Sequence, residues 1–158
     1  MNRRNILVGT AATAIAGAGV FIASRGPPYS EVVKPVRAVM PARGHFDMRY
    51  LVHHAVQAAN SHNTQPWLFK TAETQLEIVP DLTRGTPIVD PDRHHLFASL
   101  GCACENLSIA ASVAGTRANT AFLNDFAGLQ IDLERTGEAS DPLFAAIRDR
   151  QCTRADYN

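Results

Sequence analysis

The sequence predicts an α+β fold, a central buried helix beside a small antiparallel sheet, on three observations. Apolar residues step by three and four over residues 47–60 and again over 94–114, which is helical spacing. Short stretches such as Leu76-Glu77-Ile78-Val79 and Leu129-Gln130-Ile131-Asp132-Leu133-Glu134 alternate instead, which is the period of a half-buried strand. Finally, 158 residues of which 46% are hydrophobic suffice for one ordinary core.

The N-terminus reads Asn2-Arg3-Arg4-Asn5-Ile6-Leu7-Val8 and continues without charge to Ser24. A paired-arginine start before a mildly apolar run resembles a twin-arginine export signal. Nine of the fifteen residues from Gly9 to Ala23 are Gly or Ala, a composition poorer in Leu, Ile and Val than a committed membrane span. Residues 1–24 are therefore expected to be a signal peptide or anchor, which places the protein in the periplasm or cell envelope. Residues 25–44 carry Pro27, Pro28, Pro35 and Pro41 and are expected to form an extended linker or wrapping arm. The folded part is expected to span 45–158.

Within that part, Asp47 is an N-cap candidate for a helix to about Asn60, with Met48, Leu51, Val52, Ala55, Val56 and Ala59 on its buried face. His53 and His54 fall on its more polar side. A hairpin follows, Trp67–Thr71 and Leu76–Val79 around a turn at 72–74, and Pro80-Asp81 stops it. Loop 81–93 ends in Val89-Asp90-Pro91-Asp92-Arg93, to which only a positional role is given. From His94 to Ala114 one helix face carries Phe97, Leu100, Gly101, Cys104, Leu107, Ser108 and Ala111, and Leu96, Ala103, Ile109, Ala110 and Val113 fill much of the rest. A helix apolar nearly all round belongs inside a fold, and Gly115 supplies its stop. Strands at 119–123 and 129–135 come next. Asp141-Pro142 then opens a short helix, 143–149, as an N-cap followed by proline at the first helical position.

The stretch between the first helix and the first strand, Asn60-Ser61-His62-Asn63-Thr64-Gln65-Pro66-Trp67, gathers amides, hydroxyls, an imidazole and an indole in one turn. Pro66 denies the chain an N–H and restricts Gln65. Ser61-His62-Asn63-Thr64-Gln65-Pro66-Trp67 resembles the S-x-N-x-Q-P-W loop of the nitroreductase superfamily, the FMN-dependent oxidoreductases. The His and Thr variant is similar to an exported, tandem-lobed subgroup of the mycobacterial Acg type. The resemblance implies an FMN neighbour for Ser61, Asn63 and Gln65. Amides and hydroxyls suit that role, because an isoalloxazine edge presents carbonyl oxygens and ring nitrogens that they can pair without adding charge. The Ser-Leu-Gly-x-Ala-x-Glu-Asn-Leu run of the second helix resembles the superfamily's central helix, which packs at a dimer or lobe interface.

Near the C-terminus, Arg150-Gln151-Cys152-Thr153-Arg154-Ala155-Asp156-Tyr157 resembles an R-x-[ST]-x-R-x-[FY] segment whose arginines meet the FMN phosphate. The resemblance carries that role to Arg150 and Arg154, whose planar forks suit phosphate oxygens. Cys152 stands where a hydroxyl is usual, and a thiol is a weaker hydrogen-bond partner. In the subgroup such a segment opens a second lobe. The match, over most of 45–157, is thus expected to cover the first lobe only, with a second lobe or an identical chain completing the flavin site.

Other chemistries find less support. Lys and Arg number 15 against 15 Asp and Glu, so no basic excess points to nucleic acid. Three cysteines cannot form a full disulfide framework. Cys102 and Cys104 would project about 200° apart on a helix, which suits buried free thiols better than a zinc pair. Cys152, between two arginines, is the candidate for a reactive thiol. The adjacent His53 and His54 point about 100° apart and would not share a metal well. No Gly-rich phosphate loop, G-x-S-x-G or carboxylate pair supports a kinase or hydrolase. The leading expectation is an exported FMN-dependent oxidoreductase acting on nitro or quinone-like acceptors, with a nicotinamide donor. The competing readings are a non-catalytic flavin-binding or sequestering protein, a remnant without flavin, and an envelope interaction protein.

Overall fold

The computed structural model describes residue 31 and residues 34–150. The chain divides into two units, residues 1–36 and 37–158, and the fold described here is that of the second. The expected export signal, Cys152 and Arg154 lie outside the described residues.

Among its described residues, three helices and four strands make up this α+β fold: α1 Met48–Ala55, β1 Trp67–Thr71, β2 Gln75–Pro80, α2 His94–Val113, β3 Thr116–Phe122, β4 Leu129–Arg135 and α3 Leu143–Asp149. The strands form one antiparallel sheet in the order β1-β2-β4-β3. Alternation sets its faces: Leu76 and Ile78 from β2 and Leu129, Ile131 and Leu133 from β4 are buried, while Asp132 and Glu134, which alternate with Ile131 and Leu133, are exposed. The buried row meets α2, whose Leu96, Leu100, Ala103, Leu107 and Ala110 form the inward stripe, and Leu51 and Ala55 of α1 join the same core.

Local chemistry sets the element ends. The Asp47 carboxylate accepts from the backbone N–H of Tyr50 at 3.1 Å and of Arg43 at 2.9 Å, capping α1. Burial works to raise that carboxyl's pKa, and the backbone donors outweigh it, so it lies below the usual aspartate value. Helix α2 begins beneath Asp90, whose two carboxylate oxygens accept from His95 and Leu96 N–H at 3.0 Å each. This is the positional role expected of that loop. At its other end α2 stops at Gly115, which holds φ +71°, the left-handed geometry glycine adopts freely. Gly128 starts the return into β4 at φ +153°, where a Cβ would sit 2.5 Å from the Ile78 carbonyl oxygen.

Four expectations need correction. Helix α1 ends at Ala55, short of Asn60, because Gln57 and Ala58 donate to carbonyls three residues back and tighten the chain. Its buried side is rotated: Tyr50 and His54 are buried while Ala59 is exposed. Strand β3 starts at Thr116 rather than Asn119, because Thr116 pairs directly with Arg135 once Gly115 has turned the chain. On α2, Phe97, Gly101 and Cys102 are exposed, so this helix is buried on one side only, and Cys104 alone of the two thiols is the buried one. Burial pushes the Cys104 thiol pKa up, and its sulfur lies 3.3 Å from the Thr120 hydroxyl.

Candidate functional site

The loop from α1 to β1 is where backbone geometry departs furthest from routine. Ser61–Asn63 makes a single 3-10 turn, and His62, Asn63 and Gln65 all adopt positive φ, at 51°, 55° and 54°. Six non-glycine residues do so among those described, and half of them sit here. Left-handed geometry is tolerable for Asn and His but costly for Gln, and such strain persists only where surrounding contacts over-determine it.

Those contacts are visible. Asn60 bridges the loop: its Oδ1 accepts from Gln65 N–H at 2.9 Å, and its Nδ2 donates to the Ala58 carbonyl at 3.3 Å. Ser99 of α2 ties the loop to the core, accepting from Ser61 N–H at 3.3 Å while donating to the His95 carbonyl at 2.6 Å. The Thr64 hydroxyl donates back to the Ser61 carbonyl at 3.2 Å. Beyond the turn, Pro66 and Trp67 are buried, and the Pro66 carbonyl accepts from Asp81 N–H at 3.0 Å, joining the loop's exit to the hairpin.

Held this way, the loop turns its amides outward. Asn63 is exposed and Gln65 half-buried, with Gln65 Nε2 3.4 Å from Asn63 Oδ1. That single long contact leaves the Asn63 amide nitrogen and the Gln65 carbonyl oxygen to meet a ligand. Neutral donors and acceptors on one rim fit the edge of a polar heterocycle such as a flavin ring. The sequence pattern grouped Ser61, Asn63 and Gln65, and the structure sets all three on this one turn. It brings Arg150 to the same end of α1: the guanidinium donates to the Gln57 carbonyl at 3.1 Å, while the Arg150 carbonyl accepts from Arg37 at 3.0 Å. Asn60 and Ser99 escaped the sequence reading as positioning residues. Asn60 stood in the polar run, whereas nothing in the α2 pattern marks Ser99.

Among the described residues, cavities lie elsewhere, and residues 60–66 line neither of the two along α2 and α1. One, of about 560 Å³, runs along the exposed side of α2 between His94, Phe97, Gly101, Phe122, Gly128 and Leu129. The other, of about 460 Å³, lies between residues 38–45, α1 and α3. Among the described residues no three His, Cys, Asp or Glu side chains converge as a metal site would require. The His53 and His54 rings stand edge-to-face at 5.2 Å.

What these features define is an α+β domain with a braced, outward-facing amide rim. No protein-family model matches the chain. Over 113 residues it is 32% identical to two Mycobacterium tuberculosis proteins, from strains CDC 1551 and H37Rv, each named "Putative NAD(P)H nitroreductase". The similarity covers 66% of this chain and 32% of each relative, so the chain spans about a third of the length of the curated relatives it matches.

Proposed function

We propose that this chain is a first lobe of a nitroreductase-type oxidoreductase, exported by the twin-arginine route, and that it borders FMN through the loop at 61–65. The observation that carries the reading is the left-handed turn at His62, Asn63 and Gln65, which holds two amides outward on a neutral rim. The relatives' name and the sequence pattern of the loop support it.

In this reading Ser61, Asn63 and Gln65 orient the flavin ring by hydrogen bonds, and Arg150 with Arg154 holds its phosphate. FMN, when bound, supplies the electron-transfer chemistry, with a nicotinamide as donor and a nitro or quinone-like compound as acceptor. The chain's residues contribute orientation and a binding surface, and no side chain has to act as acid or base. The exposed side of α2, with Phe97 and Phe122 along its cavity, is the face for a second lobe or an identical chain to complete the site.

The test is titration of the full chain with FMN, followed by NAD(P)H under anaerobic conditions. Saturable binding that falls at least about tenfold in Asn63→Ala/Gln65→Ala, the loss of one or two good hydrogen bonds, is the expected result. Bleaching of the flavin band by NAD(P)H then marks an enzyme, and a stable yellow complex marks a flavin-sequestering protein. FMN affinity that is absent, or indifferent to both amides, overturns the assignment of the loop.

A further inference from the structure

The 460 Å³ cavity is built differently from the loop and carries its own chemistry. Three rings stand along it: His54 lies 4.4 Å from Tyr50 and 5.0 Å from Phe144, centroid to centroid, at tilts of 56° and 36°. Residues 38–45 form the opposite wall and are fastened at both ends. The Ala38 carbonyl is 3.2 Å from His53 Nε2, and His45 Nδ1 is 3.2 Å from the Gly115 carbonyl.

Two polar side chains lining this space are more than nine-tenths buried, His54 at 8% and Gln57 at 9% exposure. His54 Nδ1 lies 2.9 Å from the Tyr50 carbonyl oxygen. A carbonyl only accepts, so the proton sits on Nδ1 and the neutral ring keeps a lone pair on Nε2. Burial favours that neutral form. Nε2 has no hydrogen-bond partner among the described residues. Gln57 donates its Nε2 to the His53 carbonyl at 3.1 Å, and its Oε1 has no partner either. An acceptor left unpaired inside a fold, as Gln57 Oε1 is, is a standing cost, and His54, three residues earlier, adds a second acceptor beside the aromatic rings.

We propose that this cavity binds a small uncharged aromatic molecule bearing a ring hydroxyl, a phenol in chemical class, which stacks against the Tyr50, His54 and Phe144 rings and donates its O–H to His54 Nε2. The donor requirement follows from the two acceptors of His54 and Gln57, and aromaticity from the three rings. The volume falls in the ordinary range for small-molecule sites, about 300–1,000 Å³. This inference is independent of the flavin reading, since residues 60–66 do not line the cavity.

The experiment uses the full chain with 2-naphthol and, as a shape-matched probe without a donor, 2-methoxynaphthalene, followed by calorimetry and by the imidazole nitrogen resonances of His54. Saturable 2-naphthol binding about tenfold tighter than the methyl ether is expected, with a shift of the Nε2 resonance on binding. His54→Phe keeps a ring and removes the acceptor, so it should equalise the two probes. Should that variant fail to fold, Ala145→Trp fills the cavity from an exposed position on α3 and should abolish binding in a folded chain. Equal affinity for the two probes, no affinity for either, or binding that survives Ala145→Trp overturns the proposal.

Discussion

Two connections in this fold do the same job by opposite means. Both lead from a helix into a strand of the same sheet. Between α2 and β3 the chain uses Ala114 and Gly115 alone, and the one left-handed residue is a glycine at φ +71°. Between α1 and β1 it spends residues 56–66 and places three non-glycine residues in left-handed geometry, at roughly 1 kcal/mol or more each. A short glycine turn is therefore within this fold's reach, and in the function proposed above the long strained one is kept for what it displays. Gly115 serves the backbone, whereas Asn63 and Gln65 hold exposed or half-exposed amides at the loop's surface.

The sharpest way to break that contrast is to exchange the solutions. Gly115→Val puts a β-branched side chain at φ +71°, with its Cβ 3.2 Å from His45 Cε1 and 3.3 Å from the Thr136 carbonyl oxygen. Left-handed strain of about 1–2 kcal/mol and overpacking of similar size predict a loss of about 3 kcal/mol in urea unfolding. Gln65→Gly is the converse. Relief of strain and the greater freedom of glycine in the unfolded chain nearly cancel, so stability should stay within about 0.5 kcal/mol while FMN affinity falls. If Gln65→Gly destabilises as much as Gly115→Val, the loop's side chains hold the fold together and the contrast fails.

A smaller effect isolates the bracing. Asn60→Ala removes the acceptor for Gln65 N–H and the donor to the Ala58 carbonyl, an expected cost of about 1–2 kcal/mol. Asn60→Asp keeps the Oδ1 acceptor and should recover much of that loss. Hydrogen exchange at the Gln65 amide checks the point directly: protection should drop in Asn60→Ala and return in Asn60→Asp.

The same contrast explains what could be read from the chain before folding. The hairpin β1–β2, strand β4 and helices α2 and α3 have their periods and punctuation within their own residues, and they appear within about a residue of expectation. Gly115 was legible as a stop because glycine announces left-handed geometry. Gln65 was legible as a polar candidate, but its positive φ was not, since Asn60 and Ser99 impose it from elsewhere. Tertiary contacts likewise moved what periodicity had placed. The buried side of α1 turned toward Tyr50 and His54 because the Tyr50 carbonyl and the Phe144 ring accommodate an imidazole. Phe97 and Gly101 look inward by spacing alone, yet both are exposed, along a cavity that Phe122 and Leu129 of the sheet also line.

The smallest expected effect concerns His54, on the helix from which the strained loop departs. Burial is the main cause that lowers its pKa below the ordinary 6.5; the neighbouring His53 acts the same way, and its bond to the Tyr50 carbonyl opposes them without prevailing. The folded state thus binds fewer protons than the unfolded chain between that lowered value and 6.5, so stability rises with pH through the window and is lost on acidification below 6.5. The carboxylates held low, Asp47, Asp81, Asp90 and Asp132, start from 3.8, and their contribution is lost only at more acid pH. Urea midpoints should therefore fall modestly from pH 7.5 to pH 5 in the native chain, and His54→Phe should flatten that slope without touching the steeper loss below pH 4. An unchanged slope in His54→Phe would mean that the imidazole titrates as it does in water, and α1 would then lose its claim to a buried, neutral histidine at the root of the loop.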